Sequence, residues 1–169
     1  MNAETERGIT DLSFANRHRN VNVLSELLNH EKIDANVKDK KWQTTLMDAC
    51  YHGRLDAVRT LLNHNKVDLD AKDLKGRTAF YIASHGCHWD IVKALSCRDI
   101  DVNVRGPLGC TALFWATVSG ELDVVFMLLK LDSVNANVKN KAGSTALYVA
   151  RNSQMRVIAK CLEEHTKSC

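Results

Sequence analysis

Histidines and cysteines stand close together in the middle of this chain. Cys50 and His52 form one group, and His85, Cys87 and His88 form another. Imidazole nitrogen and thiolate sulfur are the ligands zinc takes. The spacing fits no standard zinc motif, since neither Cys-x-x-Cys nor His-Glu-x-x-His occurs. A phosphate-cradling Gly-x-x-x-x-Gly-Lys loop and a Gly-x-Ser-x-Gly nucleophile elbow are also absent. Asp68 and Asp70 make a carboxylate pair, but they belong to a loop pattern that recurs along the chain and read as loop-bonding residues. Asp48 is an acid on an otherwise apolar helix position and reads as a polar contact between helices. No catalytic residue, metal site or cofactor is therefore expected, and the sequence reads as non-enzymatic.

Composition narrows the class further. The chain has 169 residues, of which 45% are hydrophobic and 25% charged, the balance of a folded domain and not of a disordered one. The net charge of +3 is too small to announce a nucleic-acid binder by itself. No apolar run approaches the roughly 20 residues of a membrane helix, and no membrane role is expected. The polar start, Met1 to Thr10, does not read as a secretory leader. Cys50, Cys87, Cys97, Cys110, Cys161 and Cys169 then read as free thiols of a reducing compartment, so a cytoplasmic or nuclear place is expected.

What positions these residues is a repeat. Lys38-Asp39-Lys40-Lys41-Trp42-Gln43-Thr44-Thr45-Leu46 returns as Lys72-Asp73-Leu74-Lys75-Gly76-Arg77-Thr78-Ala79-Phe80. It returns again as Arg105-Gly106-Pro107-Leu108-Gly109-Cys110-Thr111-Ala112-Leu113 and as Lys139-Asn140-Lys141-Ala142-Gly143-Ser144-Thr145-Ala146-Leu147. The threonines stand 34, 33 and 34 residues apart. A second marker keeps step: Ile33-Asp34-Ala35-Asn36, Val67-Asp68-Leu69-Asp70, Ile100-Asp101-Val102-Asn103 and Val134-Asn135-Ala136-Asn137. Thr10, Leu12, Ala15, Val21, Leu24, Leu27 and Leu28 extend the pattern one unit toward the start.

Each unit has a local physical logic. Thr44 is placed to cap a helix with its hydroxyl. Leu46, Ala49 and Cys50 give that helix a face of small side chains. Gly53 ends it, because glycine tolerates the left-handed conformation. Leu55, Val58, Leu61 and Leu62 then follow at helical spacing. Asp73-Leu74-Lys75-Gly76 reads as a tight turn. Helices this short do not stand alone, so units must stack and bury each other's faces.

This grammar resembles the ankyrin repeat, and the resemblance covers nearly the whole chain. It implies an all-α solenoid of stacked helix–turn–helix units with short β-turn or hairpin loops. The units divide as a capping repeat at 1–38, repeats at 39–72, 73–105 and 106–139, and a capping repeat at 140–169. One complete, monomeric domain is expected, its ends made polar by residues such as Arg156 and Glu163. Some family residues are missing. Thr45, Ala79, Ala112 and Ala146 stand where the family has proline. Met47, Tyr81, Phe114 and Tyr148 stand where it has histidine. Trp42, Cys87 and Gln154 stand where it has turn glycines, which puts the geometry of those turns in question. Histidines are common at the inter-helix turn of such repeats, and this outweighs a zinc reading for His52, His85 and Cys87. The resemblance also makes Asn103 a candidate for asparaginyl hydroxylation, beside its plain role of bonding the loop.

In such stacks the turn tips and first helices line a concave groove that binds partners. Carried over by register, the partner-binding residues are Arg17, Lys40, Lys41, Trp42, Gln43, Met47, Tyr51, His52, Leu74, Lys75, Arg77, Tyr81, His85, Leu108, Cys110, Phe114, Lys141 and Tyr148. Neighbouring positions are His18, Pro107, Val118, Ser119, Ser144, Asn152 and Ser153. This surface is expected to be basic and free of acids, with the acids gathered on second helices and their loops. The implied function is protein–protein interaction, as a scaffold or adaptor holding an acidic segment with apolar anchors. The alternative is nucleic-acid or nucleotide binding through the same basic, aromatic-lined groove.

Overall fold

The computed structural model describes residues 10–168. The expectations placed on residues 1–9 and on Cys169 lie outside the described residues. Ten helices and no strand occur among the described residues. In chain order they are α1 (Asp11–Arg17), α2 (Val21–Asn29), α3 (Thr45–Tyr51), α4 (Leu55–Leu62), α5 (Ala79–His85), α6 (Trp89–Ser96), α7 (Ala112–Val118), α8 (Leu122–Leu129), α9 (Ala146–Asn152) and α10 (Arg156–Ser168). They form two layers. The odd-numbered helices pack on one another in sequence, and the even-numbered ones do the same behind them.

The threonine register sets every first helix. Thr10, Thr44, Thr78, Thr111 and Thr145 are the N-caps, and each hydroxyl accepts from the backbone N–H three residues on. Such a cap stabilises by about 1 kcal/mol. Five residues after each threonine comes Ala15, Ala49, Ala83, Ala116 or Ala150, all buried. An alanine there lets first helices of adjacent units approach closely. The second helices contribute the larger apolar side chains. Val58, Val92 and Val125, with Leu61, Leu95, Leu128 and Leu162, have no exposed surface, and each stabilises by about 1.5–3 kcal/mol.

The turns without glycine keep the geometry of those with it. Trp42 has φ of 60°, in register with Gly76, Gly109 and Gly143 at 71°, 74° and 78°. At the inter-helix turn Arg19, Cys87 and Gln154, at 55°, 57° and 58°, match Gly53 and Gly120 at 66° and 74°. All nine left-handed residues among the described ones therefore occupy two register positions. The stacking of neighbouring units holds the turns in place and imposes about 1–2 kcal/mol of strain on each non-glycine residue.

Between units the loops are clasped by side-chain amides. Asn36 Nδ2 donates to the Lys66 carbonyl at 2.7 Å, and its Oδ1 accepts from the Asp68 N–H at 2.7 Å. Asn103 makes the same pair with Ser133 and Asn135, at 2.6 and 2.8 Å. At the equivalent place Asp70 has no N–H to give and accepts only from the Asp101 N–H, at 3.3 Å. The structural role expected of Asn103 is thus present. No helix among the described residues is long and apolar enough to cross a membrane.

Candidate functional site

The turn tips are small hairpin-like loops closed by backbone hydrogen bonds. Asp73 N–H donates to the Arg77 carbonyl and Gly76 N–H to the Asp73 carbonyl, with matching pairs at Asp39, Gly106 and Asn140. Asp39, Asp73 and Asn140 also accept, through Oδ1, two backbone N–H groups of their own turns. Tips of adjacent units touch. Lys141 N–H donates to the Leu108 carbonyl at 3.0 Å, and Lys38 Nζ reaches the Lys72 carbonyl at 3.1 Å.

Tips and first helices enclose a groove of about 860 Å³. It is lined by Arg17, Asp39, Lys40, Lys41, Gln43, Asp48, Tyr51, His52, Asp73, Leu74, Lys75 and Arg77. Trp42, Tyr51 and Leu74 are 55%, 61% and 68% exposed. Lys38 Nζ lies 5.1 Å from the centre of the Trp42 ring. Arg17, Lys40, Lys41, Lys75, His52, His85 and Lys141 are exposed, and Gln43 is half-buried. Leu108, Pro107, Val118, Ser119, Asn152 and Ser153 are exposed along the fourth and fifth units, with Ser144 half-buried.

Three expectations need correction. First, the groove is not free of acids, since Asp39, Asp48 and Asp73 line it. Each is engaged internally. Asp48 accepts from Asn16 Nδ2 at 2.7 Å and Arg54 at 3.2 Å, with His52 Nε2 at 3.5 Å. This is the polar contact between helices that its position implied. Second, Arg77 is committed within its own turn, donating to Asp73 from Nε at 2.8 Å and from its terminal nitrogen at 2.6 Å. Burial alone would raise the Asp73 carboxyl. The Arg77 side chain and the backbone N–H groups of Arg77 and Lys75 outweigh it and hold the carboxyl below its usual value.

Third, Met47, Tyr81, Cys110 and Phe114 are buried and present no groove surface. The position three residues after the cap points into the joint with the following unit. Tyr81 shows this directly: its ring lies against Gly106 of the next turn, and its hydroxyl receives the Trp115 indole N–H at 3.4 Å. Burial raises the Tyr81 phenol above its usual value. Burial likewise raises the Cys110 thiol. Tyr148 holds the same register position and is exposed, because no described unit follows to cover it.

The position after that points the other way, into the preceding unit, as Asp48 meets Asn16 and Trp115 meets Tyr81. In the first unit this position is Phe14, which is exposed, with its ring centre 4.2 Å from that of His18 and tilted by 44° to it. Sequence reasoning missed it. The signal was its register with Ile82 and Trp115. The histidines and thiols considered for zinc have other contacts. The His85 ring stands 4.6 Å from Trp115, Cys87 Sγ meets Ser119 Oγ at 3.3 Å, and His88 lies over Gly53. Among the described residues no group of three or more histidine, cysteine or acid side chains is gathered to hold a metal.

Comparison with known proteins agrees with this architecture. The family described as ankyrin repeats (three copies) matches residues 12–106 and 65–142. A solved ankyrin repeat domain from Acinetobacter baumannii AYE is similar over 98% of this chain and 85% of its own, at 30% identity and a TM-score of 0.87. The repeating caps, the two helical layers and these matches establish that the chain belongs to the ankyrin-repeat family.

Proposed function

We infer that this protein holds a segment of another protein in the groove between its turn tips and first helices. Ankyrin repeats are in general protein-interaction modules. The observation that carries the reading is the pairing of exposed Tyr51 and Leu74 with exposed Arg17, Lys41 and Lys75 around one groove, with Trp42 exposed next to Lys41 in the same turn tip. Aromatic and large apolar side chains with nearby cations are the anchors that interfaces favour. The lining holds five cations, Arg17, Lys40, Lys41, Lys75 and Arg77, against three carboxylates, so its net charge is positive and suits an acidic segment. Because the units are stacked rigidly, little ordering cost attends binding. The role is that of an adaptor inside the cell.

The test is capture from a cell extract by wild type and by Lys41→Glu/Lys75→Glu, with melting curves beside it. Both lysines are exposed, and their side chains lie outside the turn hydrogen bonds, so the fold should be unchanged. Loss of a captured protein at constant melting temperature supports the reading. Capture that is indifferent to the double substitution refutes it. Tight binding of single-stranded RNA, falling steeply with log salt, would replace it by the nucleic-acid reading.

A further inference from the structure

The third residue before each capping threonine lies at the crest of a turn tip. Along the stack this position reads Lys41, Lys75, Leu108 and Ala142, and all four are exposed. The tips are neighbours, as the hydrogen bonds from Lys38 to the Lys72 carbonyl and from Lys141 to the Leu108 carbonyl show. The row therefore runs basic, basic, apolar, apolar. This gradient is invisible in any one unit and in the net charge.

We propose that this row is a spacing code. It selects an extended peptide carrying two acids and then an apolar residue, each three positions from the last. The inference rests on the groove reading above and adds the order and interval of the partner's side chains. The interval follows from geometry. Packed helices lie about 8–10 Å apart, and a partner in the extended polyproline II conformation advances about 3.1 Å per residue and brings every third side chain to the same face. One unit of the stack thus matches about three residues of an extended partner. Two carboxylates at that interval meet Lys41 and Lys75, and the next matched side chain reaches Leu108. A carboxylate at that third place would lie on a leucine and gain nothing.

The probes are fluorescein-labelled peptides of glycine and serine carrying Glu-x-x-Glu-x-x-Leu, made in both chain directions. Controls are the isomer with adjacent glutamates and a version with a third glutamate in place of leucine. Anisotropy at low salt reads the affinity. The better direction of the spaced peptide should bind about fivefold tighter than its isomer, the size of one well-placed exposed ion pair. Leu108→Lys should reverse the last preference, so that the three-glutamate peptide gains about fivefold over the leucine peptide. Equal binding of spaced and adjacent isomers, or an unaltered preference in the Leu108→Lys protein, overturns the code while leaving the groove reading in place. No binding of any peptide at millimolar concentration overturns both.

Discussion

Replacing Gly106 by aspartate would look like a repair. Asp39, Asp73 and Asn140 occupy that place in the other described turns, and each side chain accepts two backbone N–H groups. Two such bonds would add about 1–2 kcal/mol. The structure forecasts the opposite result. A β-carbon at Gly106 would fall inside the space held by the Tyr81 ring, and that ring is 2% exposed. Forcing it aside incurs an overpacking cost of about 1–3 kcal/mol. Expelling it removes about 150–250 Å² of burial, or about 4–6 kcal/mol. Partial displacement of the ring lies between these limits, at about 3–4 kcal/mol, so after the turn bonds are credited Gly106→Asp should lose about 2 kcal/mol. For a chain of this size that lowers the melting temperature by about 4–8 °C.

The second half of the experiment isolates the cause. The preceding joint carries Met47 where this one carries Tyr81, and it coexists with Asp73. Tyr81→Met in the Gly106→Asp background should therefore recover most of the loss. Urea denaturation of wild type, both single variants and the double variant gives the coupling energy, expected at about 1.5 kcal/mol or more. A Gly106→Asp protein as stable as wild type would refute the reasoning. So would additivity within about 0.5 kcal/mol, because the glycine would then not be the ring's counterpart.

Three further outcomes follow from the same register. Gln154→Gly should stabilise by about 0.5 kcal/mol, since relief of the left-handed strain slightly exceeds glycine's entropic cost; Gly120→Ala, at the matching turn, should destabilise by about 1 kcal/mol, both read by urea denaturation. Cys87 and Cys97 are exposed while Cys50 and Cys110 are buried, and burial drives the Cys50 thiol far above its usual value. A thiol reagent followed by peptide mapping should label the first pair at once and the second only with unfolding. The lowered carboxyl of Asp73 stabilises the fold above the ordinary carboxylate range. That contribution is lost as pH falls through the ordinary carboxylate value and then the lower folded one, so the stability gap between wild type and Asp73→Asn should hold down to about pH 5 and close only below about pH 4.

The repeat and the stacking were legible because the capping threonine and the alanine five residues later are demanded by every unit. Those two requirements place the helices whatever the turns contain. The eroded turn glycines could not be judged from sequence. Whether Trp42 or Cys87 takes a left-handed conformation depends on how firmly the neighbouring units hold the turn, and that energy is not local. The charge on the tips was legible too, as Lys41 and Lys75 show. The commitment of Arg77 to Asp73 was not, because a turn residue and a groove residue have the same spacing until the hydrogen bonds are seen.

The misplacement of Met47, Tyr81 and Phe114 has one cause, and it separates groove from joint. A side chain three positions after the cap leans toward the following unit, and the next one leans toward the preceding unit. Both are near the groove in a single repeat drawn alone, and both are wholly or partly covered where repeats stack. Tyr81, Met47 and Phe114 are hidden for that reason, while Tyr148 and Phe14 are exposed at opposite ends of the described stack. Position in the array, not residue type, thus decides whether an aromatic is an anchor or a core residue. Turn-crest side chains escape this rule, since they are exposed in every described unit that carries one, Lys41, Lys75, Leu108 and Ala142 alike. Chemistry that varies along the array at the crest can therefore be selected for a partner without disturbing the joints, which is why the order of Lys41, Lys75 and Leu108 carries more information about binding than the aromatic row does.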